Sequence, residues 1–221
     1  MRFFNGSWRW MALVILLSAC TSNPQQGADS QSDDASTSAQ AVALLPGAER
    51  TPNPYLHNQP AIHHQAQALF DTALIAMSKQ QWAQAEAQLQ RINREYPRLS
   101  GPYLNLGLVY RAQGEADKAE QAFTRAIAVN ANNLAAYNQL AIMKREAGQF
   151  SAAETLYQQA LVVWPFHPES HKNLGILYDL YLGRGALALQ HYQAYQQLLD
   201  EPDRQVNGWI IDLERRLAQG G

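Results

Sequence analysis

Histidine pairs are the first candidates for chemistry in this sequence of 221 residues. His167 and His171 lie four residues apart, a spacing that on one helix would align two imidazoles for a metal ion. His167 precedes Pro168, however, and a residue before proline is biased out of the helical conformation. We therefore favour packing roles for both histidines, with a metal site as the open alternative. His63 and His64 are adjacent and would point about 100° apart on a helix, so we interpret them as a solvated helix start.

No motif of the sequence indicates catalysis. The segment Gly183-Arg-Gly185-Ala-Leu-Ala188 has the glycine spacing of a dinucleotide-binding loop, but residues 174–182 before it have helical rather than strand spacing. We interpret this match as coincidental. No Ser, Thr or Cys has the context of a nucleophile, and the sequence has no phosphate-binding loop, HExxH or paired-carboxylate motif. The sequence predicts a protein without catalytic residues, metal, cofactor or small-molecule substrate.

Composition excludes further functional classes. The chain has 17 Lys and Arg against 19 Asp and Glu, a formal net charge of -2, so it lacks the basic surplus that nucleic-acid binding requires. Nucleic acid is therefore not an expected partner. A single cysteine, Cys20, rules out intramolecular disulfides and multi-cysteine metal sites. With 47% hydrophobic residues, the chain is expected to fold by packing alone.

Residues 1–19 have the pattern of a secretory signal. Arg2 and Arg9 precede an uncharged run at residues 10–19, and no acidic residue occurs in this segment. The run of about ten residues is shorter than the roughly 20 that a membrane-spanning helix needs. We therefore expect a targeting segment that is removed from the mature chain, rather than a permanent span.

The end of this segment, Leu17-Ser18-Ala19-Cys20, resembles the lipobox of bacterial lipoproteins. The resemblance implies cleavage before Cys20 and attachment of a diacylglycerol to its sulfur. Thr21 stands where lipoproteins of the inner membrane have Asp, so the resemblance also implies a lipid anchor in the outer membrane that faces the periplasm. An ordinary signal peptide that leaves Cys20 as a free thiol is the alternative.

Residues 20–59 are expected to form a disordered tether behind the lipidated cysteine. Ser, Gln, Asp, Ala, Thr, Asn and Pro dominate this segment, and it has no sustained apolar period. A random coil of this length has a root-mean-square reach of roughly 35 Å. The folded part of the chain could therefore stand away from the membrane.

Beyond residue 60 the sequence repeats with a period of 34 residues. Small and large residues recur in a fixed order, the small ones at Ala73, Gly107, Ala141 and Gly175, then at Ala85, Ala119 and Ala153, and the large ones at Leu89, Phe123 and Tyr157. Small residues let the two helices of a unit approach, while the aromatic residues are expected to fill the spaces between units. Gly114 and Gly148 fall where a left-handed residue would end the first helix.

The run Tyr103-Leu-Asn-Leu-Gly107-Leu-Val-Tyr110, followed by Gly114, Ala119, Phe123 and Ala126, resembles the tetratricopeptide repeat. The resemblance covers about residues 66–167 and implies an all-α fold, a right-handed α-solenoid of helix-turn-helix repeats. We place the repeat domain at residues 60–202, with repeats at about 66–99, 100–133, 134–167 and 168–202, followed by a C-terminal capping helix at 203–221.

The first and fourth repeats match the pattern loosely. Gln80 stands in the first repeat where glycine is usual. In the fourth repeat Tyr192 comes one place late, so we expect an extra residue near Tyr181 to Gly185 that lengthens the turn. The capping helix would cover the apolar end of the solenoid with one face, formed by Trp209, Ile210, Leu213 and Leu217.

By resemblance to peptide-binding members of the family, the first helices of the repeats line a concave groove. Its exposed positions combine amides, aliphatic side chains and three cations: Leu104, Asn105, Leu108, Arg111, Asn138, Gln139, Ile142, Arg145, Lys172, Asn173 and Ile176. Such a surface suits an extended or helical peptide whose acidic groups meet the cations. The alternative, that the asparagines serve the backbone of the repeat and the charges only solubilise it, stays open.

The expected function is a membrane-anchored scaffold that binds a protein or peptide of a cell-envelope assembly. Lipoproteins with this organisation include pilotins of type IV pilus secretins, adaptors of peptidoglycan hydrolases and proteins of TonB-type uptake systems, and the residues do not select among these. The alternative is a periplasmic hydrolase with its site in the groove. It would need an acid, base or nucleophile set that the groove residues do not supply.

Overall fold

The computed structural model describes residues 49–57 and 62–220, which are helical and contain no β-strand. The helices are α1 Pro54–His57, α2 His64–Ser78, α3 Trp82–Glu95, α4 Ser100–Ala112, α5 Ala116–Val129, α6 Leu134–Glu146, α7 Phe150–Val163, α8 Pro168–Ile176, α9 Gly185–Leu198 and α10 Arg204–Gln219. The predicted signal segment, Cys20 and residues 20–48 of the predicted tether lie outside the described residues. Within the described ranges, no helix has the length and apolar character needed to cross a membrane.

Four helix pairs stack in sequence. The pairs α2–α3, α4–α5, α6–α7 and α8–α9 form repeats 1 to 4, and the second helix of each pair also packs against the first helix of the next. The first helices begin at His64, Ser100, Leu134 and Pro168, within two residues of the predicted repeat starts. This stacking places the first helices side by side along the solenoid, which is what creates a continuous surface.

The turn inside each repeat requires a left-handed residue. Gly114 and Gly148 have φ angles of 79° and 73°, as the sequence predicts, and Gly183 has 64° in repeat 4. Glycine adopts this conformation without the steric cost that a Cβ introduces. In repeat 1 the same position is taken by Gln80, with φ of 57°.

Small residues let the paired helices pack closely. A Cβ atom on Gly107 of α4 would lie 2.5 Å from the ring of Phe123 on α5, and one on Gly175 of α8 would lie 2.6 Å from the ring of Tyr192 on α9. Phe123 and Tyr192 are almost fully buried. Full burial of a large apolar side chain stabilises a fold by about 1.5–3 kcal/mol, so these contacts are central to the two repeats.

The extra residue of repeat 4 lies in a different place from the predicted one. The turn between the two helices of this repeat has three residues, 182–184, as have the turns at 113–115 and 147–149 in repeats 2 and 3. The first helix is longer instead, because α8 continues into a π-helical turn at Leu177–Tyr181. A π turn absorbs one residue without breaking the helix, and the amide of Leu182 donates to the carbonyl of Leu177, 3.1 Å away.

Helix α10 lies over α9 at the end of the solenoid. Val206, Ile210 and Leu213 are buried in the core that they share with repeats 3 and 4, while Leu217 packs over Gly185. Asp203 caps the helix, since its side chain accepts hydrogen bonds from the amides of residues 205 and 206. The position of α10 agrees with the capping role expected from the sequence.

Residues 49–57 differ from the prediction of a disordered tether that extends to residue 59. They lie against the solenoid, where the indole N–H of Trp164 donates to the carbonyl of Thr51 at 3.0 Å. Asn53 caps the short helix α1 by accepting a hydrogen bond from the amide of Tyr55 at 2.9 Å, and Pro54 occupies the first helical position. Composition indicated disorder because it does not show these tertiary contacts, in which Arg50 and Thr51 bond to residues more than 100 positions away in the chain.

Candidate protein-interaction surface

The predicted groove residues lie on three neighbouring helices, α4, α6 and α8. We call the sides of these helices that face away from their paired helices the concave surface, and its aliphatic members are Leu104, Leu108, Ile142 and Ile176. All four are half-buried and pack against the two main hydrophobic cores. They therefore offer a partner only part of their surface and also contribute to folding.

The three asparagines of the concave surface already make hydrogen bonds within the protein. Asn105 donates to the carbonyl of Gly101, one turn earlier in α4, at 2.9 Å. Asn173 on α8 donates to the side-chain oxygen of Asn138 on α6 at 3.1 Å, and Asn138 is buried. The Asn105 contact is a backbone hydrogen bond of the kind that the alternative interpretation expects, whereas the Asn173 contact joins repeats 3 and 4 through two side chains.

Arg111 bonds to two side chains of the neighbouring helix α6. Its guanidinium donates to the side-chain oxygen of Gln139 at 3.1 Å and to the carboxylate of Glu146 at 2.6 Å, both on α6. The Glu146 carboxylate is half exposed, and an exposed ion pair of this kind contributes about 0–1 kcal/mol. A partner carboxylate would therefore have to compete with Glu146 for Arg111.

Lys172 forms an ion pair with Asp203, the residue before α10. Its ammonium lies 2.9 Å from the carboxylate of Asp203 and 5.1 Å from the ring centre of Tyr195. The hydrogen bond from Lys172 lowers the pKa of Asp203 to about 2, with further hydrogen bonds from the Val206 amide and the Tyr195 hydroxyl. This arrangement joins repeat 4 to the capping helix.

Arg145 differs from the other two cations because no carboxylate of the described residues pairs with it. Its guanidinium lies 5.8 Å from the ring centre of Tyr181. Two of its nitrogens, Nε and Nη1, are buried and have no hydrogen-bond partner among the described residues. The hydroxyl of Tyr157 is likewise buried and has no partner there. Burial raises the pKa of Tyr157 to about 12, an effect that the nearby Arg145 partly opposes. Arg145 is thus the cation of this surface that has no carboxylate partner among the described residues, although its Nε and Nη1 atoms are not accessible from outside.

An apolar cavity lies at the repeat 1 end of the concave surface. It has a volume of about 300 Å³ and is lined by Tyr55, Ile62, Phe70, Leu99 and Leu104, with Asn130 and other polar residues at its wall. This cavity could not be predicted from sequence. Tyr55, which lines it, belongs to the segment before repeat 1, and the resemblance to a repeat does not show where that segment lies. Its only sequence signal is the pair Pro52 and Pro54 beside Tyr55.

The histidines predicted to have packing roles lie in the interior of repeat 4. His171 Nε2 lies 2.8 Å from the carbonyl oxygen of Pro165 and must donate to it, so its Nδ1 accepts from His191 Nδ1–H at 2.9 Å. His167 Nδ1 lies 2.7 Å from the hydroxyl of Ser170. Burial lowers the pKa of all three histidines, and that of His191 falls to about 3. The described residues contain no group of three or more side chains that could hold a metal ion.

Comparisons with known proteins agree with this geometry. Models of the tetratricopeptide repeat family match residues 67–98, 98–165 and 139–201, which together cover the solenoid without a gap. No curated protein matches the sequence at a significant level.

Solved structures of tetratricopeptide repeat proteins superpose on the chain. A protein from Parabacteroides merdae has 21% sequence identity and a TM-score of 0.58 over 70% of this chain and 62% of its own, so the chain spans less than two thirds of it. Pseudomonas aeruginosa pilF has 18% identity and a TM-score of 0.62 over 70% and 69%. A thermophilic protein from Thermus thermophilus has 21% identity and a TM-score of 0.56 over 72% and 84%. These likenesses confirm the predicted fold class, an all-α solenoid of helix-turn-helix repeats.

Proposed function

Because the chain is a tetratricopeptide repeat protein, we propose that it is a lipid-anchored scaffold of the cell envelope that binds a protein partner on its concave surface. The observation that carries this proposal is Arg145, a cation of the concave surface without a carboxylate partner among the described residues, whose guanidinium lies beside the exposed ring of Tyr181. An anionic group beside apolar contacts is what such a surface recognises.

The partner that fits this surface is a polypeptide with a carboxylate at its centre. A charge-assisted hydrogen bond contributes about 1.5–3 kcal/mol. Arg111 and Lys172 have carboxylate partners of their own, so neither is free to make a dedicated contact with the partner. The proposed partner belongs to an envelope assembly such as a pilus secretin, a peptidoglycan enzyme or a TonB-type system.

The proposed membrane anchor is supported by sequence. Arg2 and Arg9, the apolar run at residues 10–19 and the lipobox-like end at Cys20 are the features that support it. We propose an outer-membrane location facing the periplasm, on the basis of Thr21. Several buried acyl chains would hold the protein at the bilayer, because each methylene contributes about 0.8 kcal/mol.

Two variants test the proposal separately. Cys20→Ser should leave an unprocessed precursor or a soluble periplasmic form, as shown by membrane fractionation and mass spectrometry of the mature amino terminus. An unmodified Cys20 thiol in the wild type would contradict the anchor.

Arg145→Gln should weaken capture of the partner by about tenfold or more, since a charged hydrogen bond is lost. Crosslinking of the full-length protein in isolated membranes, followed by quantitative mass spectrometry, measures this capture. The matched control is Arg94→Gln, an exposed position on α3, which should capture the same proteins as the wild type. Undiminished capture by the Arg145→Gln variant would show that the partner binds elsewhere.

A further inference from the structure

Residues 49–57 follow the solenoid from repeat 4 towards repeat 2. The guanidinium of Arg50 donates to the carbonyls of Gln197 and Leu198, the latter at 3.2 Å. Thr51 accepts the indole N–H of Trp164 at 3.0 Å. Tyr55 reaches α4, where its hydroxyl would lie 3.4 Å from a Cβ atom on Gly101. The segment therefore touches three successive repeats in reverse order.

The contacts of this segment fall at similar places in the repeats. Asn130 and Trp164 are the C-cap residues of α5 and α7, and Leu198 is the last residue of α9, one place before its C-cap. Trp164 and Leu198 bond directly to the segment, and Asn130 lines the same cavity as Tyr55. We call the row formed by the ends of these second helices and the first turns of α4, α6 and α8 the inter-repeat edge. A periodic row of partners is what an extended chain can follow.

The chemistry of each contact is that of a binding site. Arg50 lies at the C-terminal end of α9, where unpaired carbonyls and the helix dipole favour a cation. Trp164 is half-buried, and its N–H has Thr51 as its partner. Tyr55 is half-buried and lines the apolar cavity together with Phe70 and Leu104.

The segment is also preorganised for this position. Pro52 and Pro54 fix two φ angles, and the side chain of Asn53 between them caps α1. Restricted segments lose less conformational entropy when they bind. The residues 58–63 that join the segment to α2 are few, which gives it a high effective concentration at the inter-repeat edge.

We propose that the inter-repeat edge is a binding surface for a polypeptide segment that carries an arginine five residues before an aromatic residue, and that residues 49–57 of this chain are its resident occupant. This surface borders the concave surface, since Asn53 lies beside Asn138 and Gln139. The proposal rests on the proposed function only in one respect: the occupant would restrict the access of a partner to α6.

Cleavage by trypsin after Arg50 tests whether the segment is docked in the full-length protein. While Arg50 is bonded to the end of α9, the protease cannot accept its side chain, so cleavage of this bond should be slow. Tyr55→Ala should accelerate it about tenfold or more through loss of an apolar contact. Gly101→Leu, which fills the place of the Tyr55 hydroxyl from the α4 side, should do the same. Trp82→Phe on α3 is the control and should leave the rate unchanged.

A free peptide of residues 47–58 tests the surface itself. Fluorescence anisotropy with the labelled peptide should give about tenfold tighter binding to the Tyr55→Ala protein than to the wild type, because its own segment no longer competes. The same peptide with Arg50→Ala should bind more weakly. Equal binding to both proteins, or equal cleavage rates, would overturn the proposal, as would protection of Arg50 that disappears on dilution and so comes from a second copy. Neither assay contains the partner, so failure of the Arg145 experiment leaves these results unaffected.

Discussion

Repeats 2 and 4 solve the same packing problem with chains of different length. In repeat 2 the ring of Phe123 lies against Gly107, 16 residues earlier, and in repeat 4 the ring of Tyr192 lies against Gly175, 17 residues earlier. The π turn at Leu177–Tyr181 takes up the difference after the glycine contact and before the three-residue turn. The repeat therefore preserves the contact between its two helices, and the chain length between the contacting residues can change.

The two repeats also differ in charge at one groove position. Arg111 and Arg145 occupy it in repeats 2 and 3, and Asp179 follows 34 residues later in repeat 4. Asp179 pairs with Arg216 of α10 at 2.7 Å. At this groove position the charge is therefore positive in repeats 2 and 3 and negative in repeat 4, where the carboxylate pairs with the capping helix.

The largest expected effect comes from filling the glycine contact. Gly107→Leu and Gly175→Leu should each lower the free energy of unfolding by about 3 kcal/mol, the upper part of the range for overpacked cores, because the new Cβ meets a buried ring at 2.5 Å or 2.6 Å. Urea denaturation measures the change. Gly208→Ala is the matched control: no atom lies within 4 Å of its Cβ, and helix propensity should stabilise it by up to about 1 kcal/mol.

That pair of variants also tests the equivalence of the two repeats. If Gly175→Leu were as stable as the wild type while Gly107→Leu was not, the π turn would be giving repeat 4 freedom to move its helices apart. Repeats 2 and 4 would then not be equivalent in the way their two helices pack.

Acid should destabilise repeat 4 through its buried histidines. His191 has a pKa of about 3 in the fold because burial, and then the neighbouring His171, disfavour its charged form. The ordinary value near 6.5 applies in the unfolded chain, so the stability from the neutral form is complete above pH 6.5 and is lost as pH falls below it. Between pH 6.5 and 5 the loss should be about 2 kcal/mol for one such group.

His191→Phe tests the source of this pH dependence. The variant should show a shallower fall in the free energy of unfolding below pH 6.5, and should run parallel to the wild type between pH 7 and 9. Chemical denaturation across this range measures both slopes. Identical slopes below pH 6.5 would assign the acid sensitivity to His167 and His171, whose pKa values burial also lowers.

Removal of one exposed residue from the π turn should change stability little. Leu180 is 69% exposed, and its deletion would give the first helix of repeat 4 the length that α4 and α6 have. We expect a change within about 1 kcal/mol, as is usual away from buried contacts. Deletion of Glu146 at the end of α6 is the control and should cost more, because repeat 3 has no residue to spare. Thermal or urea unfolding that ranks the deletions in the opposite order would contradict this account.

Much of the fold could be predicted from sequence because the residues that make the contacts within each repeat recur at a fixed spacing. The positions of Gly114, Gly148 and Gly107 each report a backbone or packing requirement that other residues meet poorly. The π turn and the docking of residues 49–57 could not be predicted, since an inserted residue does not show where it is absorbed and Arg50 has its partners almost 150 residues away. The positions of the groove cations could be predicted from the period of the repeat. Their pairing with Glu146 and Asp203 could not, because it depends on side-chain geometry.

Gln80 offers the mildest test of the comparison between repeats. It has φ of 57° at the turn position where repeats 2, 3 and 4 have glycine. A residue with a Cβ lowers the free energy of unfolding by about 1–2 kcal/mol in this conformation. Glycine avoids that steric cost, but it also increases the entropy of the unfolded chain, which cancels part of the gain. Gln80→Gly should therefore raise the free energy of unfolding by about 0.5 kcal/mol, and Gly114→Ala should lower it by about 1 kcal/mol. Urea denaturation of both variants measures the difference. A destabilised Gln80→Gly protein would mean that the glutamine side chain stabilises the first turn in a way that the later repeats do without.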